Sequence, residues 1–434
     1  MSQSTVFPHL QTPHTLLGVG KQNAHAWASV RVETSQALAQ LLEECSRARI
    51  KVMTGAQRAL PDDDSGDACG YVFVDMRQIN RVTEHRRRDQ VISVETGITL
   101  DELDSLLQQN GQWWPVSSAG GSTVYDVIQT GDGGCLEHGF GGPRHLILGL
   151  EAILPTGRTI KSGGKVVKNV TGYDMTKLFV GARGTLSLPY LAHLRLFARP
   201  QSSVSLLIAA DKDVLSLLHH ANKLMSSGLP IAVLELFRPD LLPETTETSS
   251  MRKRMPAAAH RLVMLVQIFE NEKVIAEILP QVQAMAAPDL VQSQLSHDTA
   301  QQLIGKISSV PPRYYELSCA PSVMAQLLAE NPAVLNADGL QLRPGAGRLR
   351  FISNENSSPI QQLRIWSKRR DCAFTGAQVD EDRYTVQRYP QEDAAADEII
   401  QSLQRQFDPD ACLNPFARFE GGSGIRRSQE NPHD

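Results

Sequence analysis

Along the chain, short apolar runs alternate with amphipathic stretches, and the two periods predict different elements. Residues 34–48 place Leu38, Leu41, Leu42 and Cys45 at helical spacing behind a Thr/Ser cap, which predicts a helix. Ile50–Met53 then reads as a short strand ending in Thr54-Gly55, and Tyr71–Val74 as another. The charged patch Glu84–Asp89 reads as a solvated turn. Val91–Glu95 returns to strand character; Gly97, a capping Thr99 and a helix to about Asn110 follow. A further strand covers Leu150–Leu154.

Beyond Pro200 the texture becomes strand and helix in turn. Ser205–Ala210, Ile231–Phe237 and Arg261–Phe269 read as strands; Val214–Met225 and Glu272–Met285 read as helices. Leu242–Ala258, rich in Thr, Ser and Pro, is expected to be a mobile loop. A second, similar unit follows: strands at Tyr314–Ser318 and Leu349–Ile352, helices at Pro321–Glu330 and Pro359–Arg369, and a mostly antiparallel sheet. Asp397–Phe407 predicts a last helix, closed by Asp408-Pro409-Asp410 and Leu413-Asn414-Pro415. This order of elements predicts an α+β unit resting on the N-terminal half. Residues 421–434 have the composition of a disordered tail.

The densest punctuation lies between Gly163 and Leu188. Gly163-Gly164, Gly172, Gly181 and Gly184 stand beside the apolar runs Val166-Val167 and Leu178–Val180, with Lys165 and Lys168 among them. Glycine serves where the chain needs positive φ or where a backbone or ligand comes very close. The stretch therefore predicts short elements whose turns press against something. Tyr173 and Asp174 are expected to fix one of those turns, the aspartate capping Met175–Val180.

Composition narrows the function classes. The 434 residues are enough for two domains, each with its own core. With 43 basic against 47 acidic residues the formal charge is −4, and the absence of a basic excess argues against nucleic acid as a partner. The 6 cysteines are spread singly without a Cys-x-x-Cys pair, which argues against an iron–sulfur cluster, a structural zinc or a disulfide framework and for reduced thiols in a cytoplasmic compartment. His193, His260 and His297 are isolated, and no metal site is expected. Met1–Val30 lacks the basic start and apolar core of a signal peptide. The longest apolar runs, such as Leu262–Val266, fall far short of the roughly 20 residues that span a bilayer. The expectation is a soluble protein with no transmembrane segment.

The string Lys168-Asn-Val-Thr-Gly-Tyr-Asp-Met, then Lys177-Leu-Phe-Val-Gly, then Gly184-Thr-Leu, resembles the second half of the FAD-binding domain in FAD-linked oxidases of the vanillyl-alcohol-oxidase type. Within them it is most similar to the FAD-binding subunits of bacterial glycolate oxidases. The resemblance runs from about Ala37 to Pro200, with an echo at Phe407-Asp-Pro and Leu413-Asn-Pro. It implies an α+β chain: a two-lobed PCMH-type FAD-binding domain over 1–200, an α+β cap domain over 201–390, a return to the FAD domain over 391–420, and the tail.

The implied cofactor is FAD, and the implied contacts follow from the motif positions. Gly55, Ala56 and Gln57 stand where relatives carry a glycine-rich phosphate loop, of which Gly55 remains, and Arg58 follows. Gly97, Gly121 and Thr123 match further contacts, but Tyr125-Asp126 replaces a double glycine. Gly133, Gly134 and Gly141 match a glycine loop that ends at Arg144-His145, where relatives often have aspartate for the histidine; Gly184 and Thr185 complete the set. Lys168 matches a lysine that some relatives aim at the substrate carboxylate.

The His-x-Gly-Asp-Gly-Asn string of the catalytic relatives is missing; the chain's Gly131-Asp-Gly has no histidine two residues before it. The resemblance thus implies a subunit working beside a catalytic flavoprotein subunit and an iron–sulfur subunit. Together they would oxidise a small 2-hydroxy acid, glycolate to glyoxylate, at the cytoplasmic face of the inner membrane, the chain being peripheral through its partners. Two alternatives stand beside it: a stand-alone FAD-dependent 2-hydroxyacid dehydrogenase, which the missing string disfavours, and a flavin-poor or flavin-free assembly scaffold, which the altered glycine loops favour.

Overall fold

The computed structural model describes residues 10–415, apart from 11, 23–24, 55–69, 167–173, 211–213, 255–261, 310–312, 354–357, 371, 381–382 and 390–393. The chain opens with an antiparallel hairpin, β1 (Thr15–Gln22) and β2 (His25–Arg31), which the N-terminal sequence did not announce. Helix α1 (Ser35–Arg47) follows as expected. Thr34 caps it by accepting from Ala37 N, and Leu38, Leu41, Leu42 and Cys45 face inward. β3 (Lys51–Thr54) and β4 (Tyr71–Asp75) complete a sheet of order β1-β2-β4-β3, whose last three strands are parallel. Its core is the layer between these strands and α1, built from Val30, Leu38, Leu42, Val52 and Val72.

The second lobe is an antiparallel sheet in the order β5-β6-β10-β8-β9, formed by Val82–Arg86, Val91–Glu95, Leu188–Arg195, Ile147–Ile153 and Thr159–Gly163. Here one expectation fails: the charged patch at Glu84–Asp89 is in part strand β5. Its side chains stay half-exposed, and Glu84 takes hydrogen bonds from Arg86 (2.6 Å) and Lys165 (2.6 Å), so polarity marks an outer edge and not a turn. Helix α2 (Leu100–Gln108) carries the anticipated capping box between Thr99 and Glu102. A two-residue strand β7 (Gln112–Trp113) precedes helix α3 (Val124–Thr130) and pairs with β11 (Phe197–Ala198). Ile92, Val94, Leu103, Leu107, Val127 and Leu194 join sheet, α2 and α3 in one core.

The two α+β units anticipated after Pro200 share a single sheet of nine antiparallel strands. In chain order these are β12 (Ser202–Ala210), β13 (Ile231–Phe237), β14 (Val263–Glu270), β15 (Leu290–Leu295), β16 (Arg313–Ser318), β17 (Asp338–Arg343), β18 (Arg348–Ile352), β19 (Ala373–Asp380) and β20 (Arg383–Tyr389). Their spatial order is β15-β12-β14-β13-β17-β18-β16-β19-β20, and the β13–β17 pairing fuses the halves at Leu236↔Leu342. The helices are α4 (Val214–Ser226), α5 (Thr246–Arg254), α6 (Glu272–Ala284), α7 (His297–Ser308), α8 (Met324–Glu330), α9 (Ser358–Arg369) and α10 (Ala394–Phe407). Helix α5 corrects the expected loop at Leu242–Ala258. Thr245 and Thr248 exchange hydrogen bonds at its start (3.2 and 3.0 Å), giving a polar segment a capped helix without an apolar stripe.

Strand alternation divides this sheet into two faces. Leu206, Ile208, Leu234, Leu236, Met264 and Val266 face α4, α6, α8 and α9. Leu207, Ala209, Val233, Phe237, Val263 and Leu265 face α7 and, beside it, Cys135 and Leu136 of the N-terminal half. The second face therefore presses on the segment that follows α3, and the candidate site lies there.

Candidate cofactor and active site

Two clusters gather part of the anticipated set, one inside the N-terminal half around Thr123, Gly184 and Thr185 and one against the large sheet around Gly133 and Gly134. The first surrounds the start of α3. Thr123 caps that helix: its hydroxyl accepts from Asp126 N (3.2 Å), and the Asp126 carboxylate accepts from Thr123 N (2.9 Å). Val124 N donates to Ile98 O (3.0 Å) and Tyr125 N to Thr96 O (2.7 Å), so the first-turn amides are all engaged within the chain. Tyr125 turns inward, with its hydroxyl 2.6 Å from Thr54 Oγ1 at the end of β3, and burial pushes that hydroxyl's pKa up.

The C-terminal return closes the same place. Asp408 accepts from Cys412 N (2.9 Å) and Leu413 N (2.8 Å), which turns the chain so that Leu413 bridges Val52 of β3. Asn414 then accepts from Thr54 N (2.9 Å) and donates to Thr54 Oγ1 (3.0 Å) and to Arg183 O (2.9 Å). Gly184 sits directly beneath: its φ is +69°, and a Cβ there would lie 2.2 Å from Asn414 Nδ2. Thr185 is buried and donates to Ala182 O (2.8 Å). Gln129 lies alongside, buried, with its carboxamide facing Tyr125 and meeting no partner at full hydrogen-bond geometry.

The remaining anticipated residues separate by what surrounds them. Gly97 is required by the fold itself, because a Cβ there would meet Met76 O at 2.0 Å. Gly121, at φ +76°, has open space around the position of a Cβ, as does Gly120. Gly141, at φ +81°, faces the side chain of His145. Asp174 accepts from Thr176 N (3.2 Å) just ahead of the short helix Thr176–Phe179, whose cap position is taken by Met175 and not by the expected aspartate. Gly55, Ala56, Gln57, Arg58, Lys168 and Tyr173 lie outside the described residues.

The second cluster is the loop after α3. Gly133 N donates to Glu137 Oε1 (2.7 Å), and Gly134, at φ +74°, is held against Ser117, whose carbonyl would be 2.0 Å from a Cβ. Between α3 and these glycines, Asp132 points into the large sheet, where three arginines from two neighbouring strands meet it. Arg350 Nη2 is 2.7 Å from Oδ2, Arg343 bonds Oδ1, and Arg348 Nη1 is 3.4 Å away while its other nitrogen donates to Gly131 O (3.0 Å). Further carboxylates back the arginines: Glu235 Oε1 is 3.0 Å from Arg343 Nε, and Glu316 Oε2 is 2.7 Å from Arg350 Nη2.

The cluster is almost dry, with the Arg343 and Arg350 side chains each 7% exposed. Burial opposes the charge on Asp132, but the guanidiniums of Arg343, Arg350 and Arg348 outweigh it and hold the carboxyl well below its ordinary range. Glu235 goes the other way: burial, against the pull of Arg343, pushes it up to about 8. Glu235 Oε2, Gln341 Oε1 and Arg350 Nη1 are buried without hydrogen-bond partners. Sequence reasoning marked Gly133 and Gly134 here but missed Asp132 and its arginines. The only signal was the spacing of Arg343, Arg348 and Arg350 around a glycine turn.

Two lobes under a large antiparallel sheet, with glycine turns gathered between them, define a PCMH-type FAD-binding domain beneath an α+β cap. Residues 8–163 match the family model described as FAD binding domain, and FAD is the cofactor of this domain. Among solved structures, an alkyldihydroxyacetonephosphate synthase has the same fold, with a TM-score of 0.65 at 12% identity over 91% of this chain and 78% of that one. Among curated proteins, an FAD-linked oxidoreductase of Mycobacterium tuberculosis is 28% identical over 271 residues, 58% of each chain. The glycolate oxidase subunit GlcD of Bacillus subtilis is 28% identical over 185 residues, 42% of this chain and 39% of that protein. The chain thus spans less than two thirds of the length of these two curated relatives.

The residues present fit FAD. The open turn at Gly120-Gly121 leaves room for a bound group, and the buried carboxamide of Gln129 beside Gly184 has hydrogen-bonding capacity still to be met. Tyr125 limits how far such a group reaches between α3 and β3, because its ring and the Thr54–Asn414 bonds fill that interval. Among the described residues no group of three or more His, Cys, Asp or Glu is placed to hold a metal ion, and no helix is long and apolar enough to cross a membrane.

Proposed function

We propose that the chain is the FAD-holding subunit of a glycolate-oxidase-like complex that oxidises a 2-hydroxy acid, glycolate to glyoxylate. Residues 1–200 form its cofactor domain, 201–390 its cap, and 391–420 the return, with 421–434 a tail. Its partners are a catalytic flavoprotein subunit and an iron–sulfur subunit, and it works at the cytoplasmic face of the inner membrane through them. The similarity to a glycolate oxidase subunit supports this reading.

The observation that carries the reading is the state of the arginine pair facing the glycine loop. A 2-hydroxy acid needs a cation for its carboxylate, and an arginine fork serves that need well. Arg343 and Arg350 are already held by the chain's own Asp132, with Glu235 and Glu316 behind them. A substrate carboxylate would have to displace a buried, charge-assisted contact, so the interface works better as a clasp between cap and cofactor domain than as a substrate seat.

FAD, when bound, supplies two-electron redox chemistry. The chain's own residues position it. The Gly120-Gly121 turn admits it, Gln129 offers its buried carboxamide, and the Asn414 strap holds β3 and Gly184 in register. Lys168 is the residue we assign to a substrate carboxylate should one enter this subunit.

Visible spectroscopy and dye-reduction assays test the proposal. The purified chain should show flavin bands after reconstitution with FAD, and should reduce a dye with glycolate only when the partner flavoprotein and iron–sulfur subunits are added. Turnover of glycolate or D-lactate by the chain alone would replace this reading with that of a stand-alone dehydrogenase.

A further inference from the structure

The cysteines look scattered in the sequence, yet the large sheet brings two of them face to face. β16 and β19 pair antiparallel through Ser318↔Ala373, and continuing that register by one step sets Cys319 opposite Cys372. Directly opposed residues of an antiparallel pair have Cα atoms about 4.5–5.5 Å apart. That range falls within the roughly 4.4–6.8 Å that a disulfide spans.

Both backbones are held in place. Cys319 N donates to Gly347 O (2.8 Å), and Cys372 N donates to Ser367 O at the end of α9 (3.0 Å). Cys372 is 3% exposed and packs in the main core of the sheet, whereas Cys319 is only partly buried. Of the two residues, Cys319 is therefore the more open to solvent.

We propose that Cys319 and Cys372 are a disulfide-forming pair, a redox modification site that ties the α9–β19 junction to β16. The co-reactant is a hydroperoxide. The Cys319 sulfur attacks a peroxide oxygen as thiolate, the O–O bond breaks, and a sulfenic acid and hydroxide result. The Cys372 sulfur then forms the S–S bond, and the sulfenic hydroxyl leaves as water. With hydrogen peroxide, two thiols lose two electrons and two protons, and the peroxide becomes two waters.

The consequence reaches the candidate site, because β16 carries Glu316, which holds Arg350 at 2.7 Å. A bond at the end of β16 restrains the strand that backs the Asp132 clasp. Burial, and then the neighbouring Cys372, push the Cys319 thiol up to about 12. The thiolate fraction, and with it the oxidation rate, should rise about tenfold per pH unit across the neutral range. Cys45 and Cys412 also lie near one another, but both are fully enclosed, so a diffusible oxidant should leave them reduced.

The test is peptide mapping of the full chain after treatment with hydrogen peroxide at pH 7 and pH 8. The expected product is one cross-linked peptide pair containing Cys319 and Cys372, two hydrogens lighter than the reduced pair and restored by dithiothreitol. It should form about ten times faster at the higher pH. Cys319→Ser should abolish it and leave Cys372 unmodified; the wild-type map decides the matter by itself should that variant fold poorly. A stable sulfinic acid at Cys319 without the cross-link, or preferential pairing of Cys45 with Cys412, would overturn the proposal.

Discussion

Replacing Asp132 by asparagine tests the clasp most directly. The substitution keeps the side chain's shape and leaves an oxygen for Gly134 N, which donates to Oδ1 at 2.9 Å, so the loop can hold its path while the charge is removed. Arg343 and Arg350, each 7% exposed, then lose the carboxylate they share, and two guanidiniums remain buried with only Glu235 and Glu316 against them. Removing one partner of a buried ion pair costs about 3–5 kcal/mol, because the cost is that of an uncompensated charge. The exposed pair Arg47–Glu43 supplies the contrast, since a surface pair is worth about 0–1 kcal/mol.

Urea unfolding of wild type, Asp132→Asn, Arg343→Met and the double variant measures the difference. Each single change should destabilise by several kcal/mol, and the double variant by clearly less than their sum, since with Arg343 gone the loss of the carboxylate strands one guanidinium, that of Arg350, instead of two. Because Asp132's carboxyl is depressed in the fold, its contribution is present above the unfolded carboxyl's value and is lost as pH falls through the folded one. The wild-type advantage over Asp132→Asn should therefore shrink only in strong acid. A loss below about 1 kcal/mol at pH 7, or strict additivity, would refute the claim that this buried cluster holds cap and cofactor domain together.

Three further outcomes follow from the same geometry. Glu235 is raised in the fold to about 8, so folding takes up a proton between the ordinary carboxyl value and that point. Stability should fall as pH rises across this window, with a slope of up to about 1.4 kcal/mol per unit, and Glu235→Gln should flatten the profile; an unchanged slope would exclude Glu235 as its source. Gly184→Ala places a Cβ at φ +69° and 2.2 Å from Asn414 Nδ2, which should displace the C-terminal strap and cost at least about 1–3 kcal/mol in unfolding experiments. Tyr125→Phe removes the hydroxyl 2.6 Å from Thr54 and leaves Thr54 bonded to Asn414, so thermal melting should report only about 0.5–1.5 kcal/mol, less than for Gly184→Ala.

Local pattern alone determined much of this protein. The helical spacing of Leu38, Leu41, Leu42 and Cys45, the Thr99–Glu102 capping box and the apolar run Ile231–Phe237 each form the element their period predicts, because side-chain direction repeats with the backbone that carries it. The motif order from Ala37 to Pro200 likewise led to FAD, since turns that admit a cofactor need glycine at set intervals. Polar segments misled, because charge is compatible with several backbones: Glu84 lies on an edge strand, and Thr246–Arg254 is a helix with no apolar stripe to reveal it. What only the tertiary structure decided are the meetings of distant residues. Asp132 with Arg343 and Arg350, Tyr125 with Thr54 and Asn414, and Cys319 with Cys372 leave no periodic trace. Each partner alone reads as a solvated charge, a plain polar group or a single thiol, and acquires its chemistry when sheet pairing and burial remove the water between them.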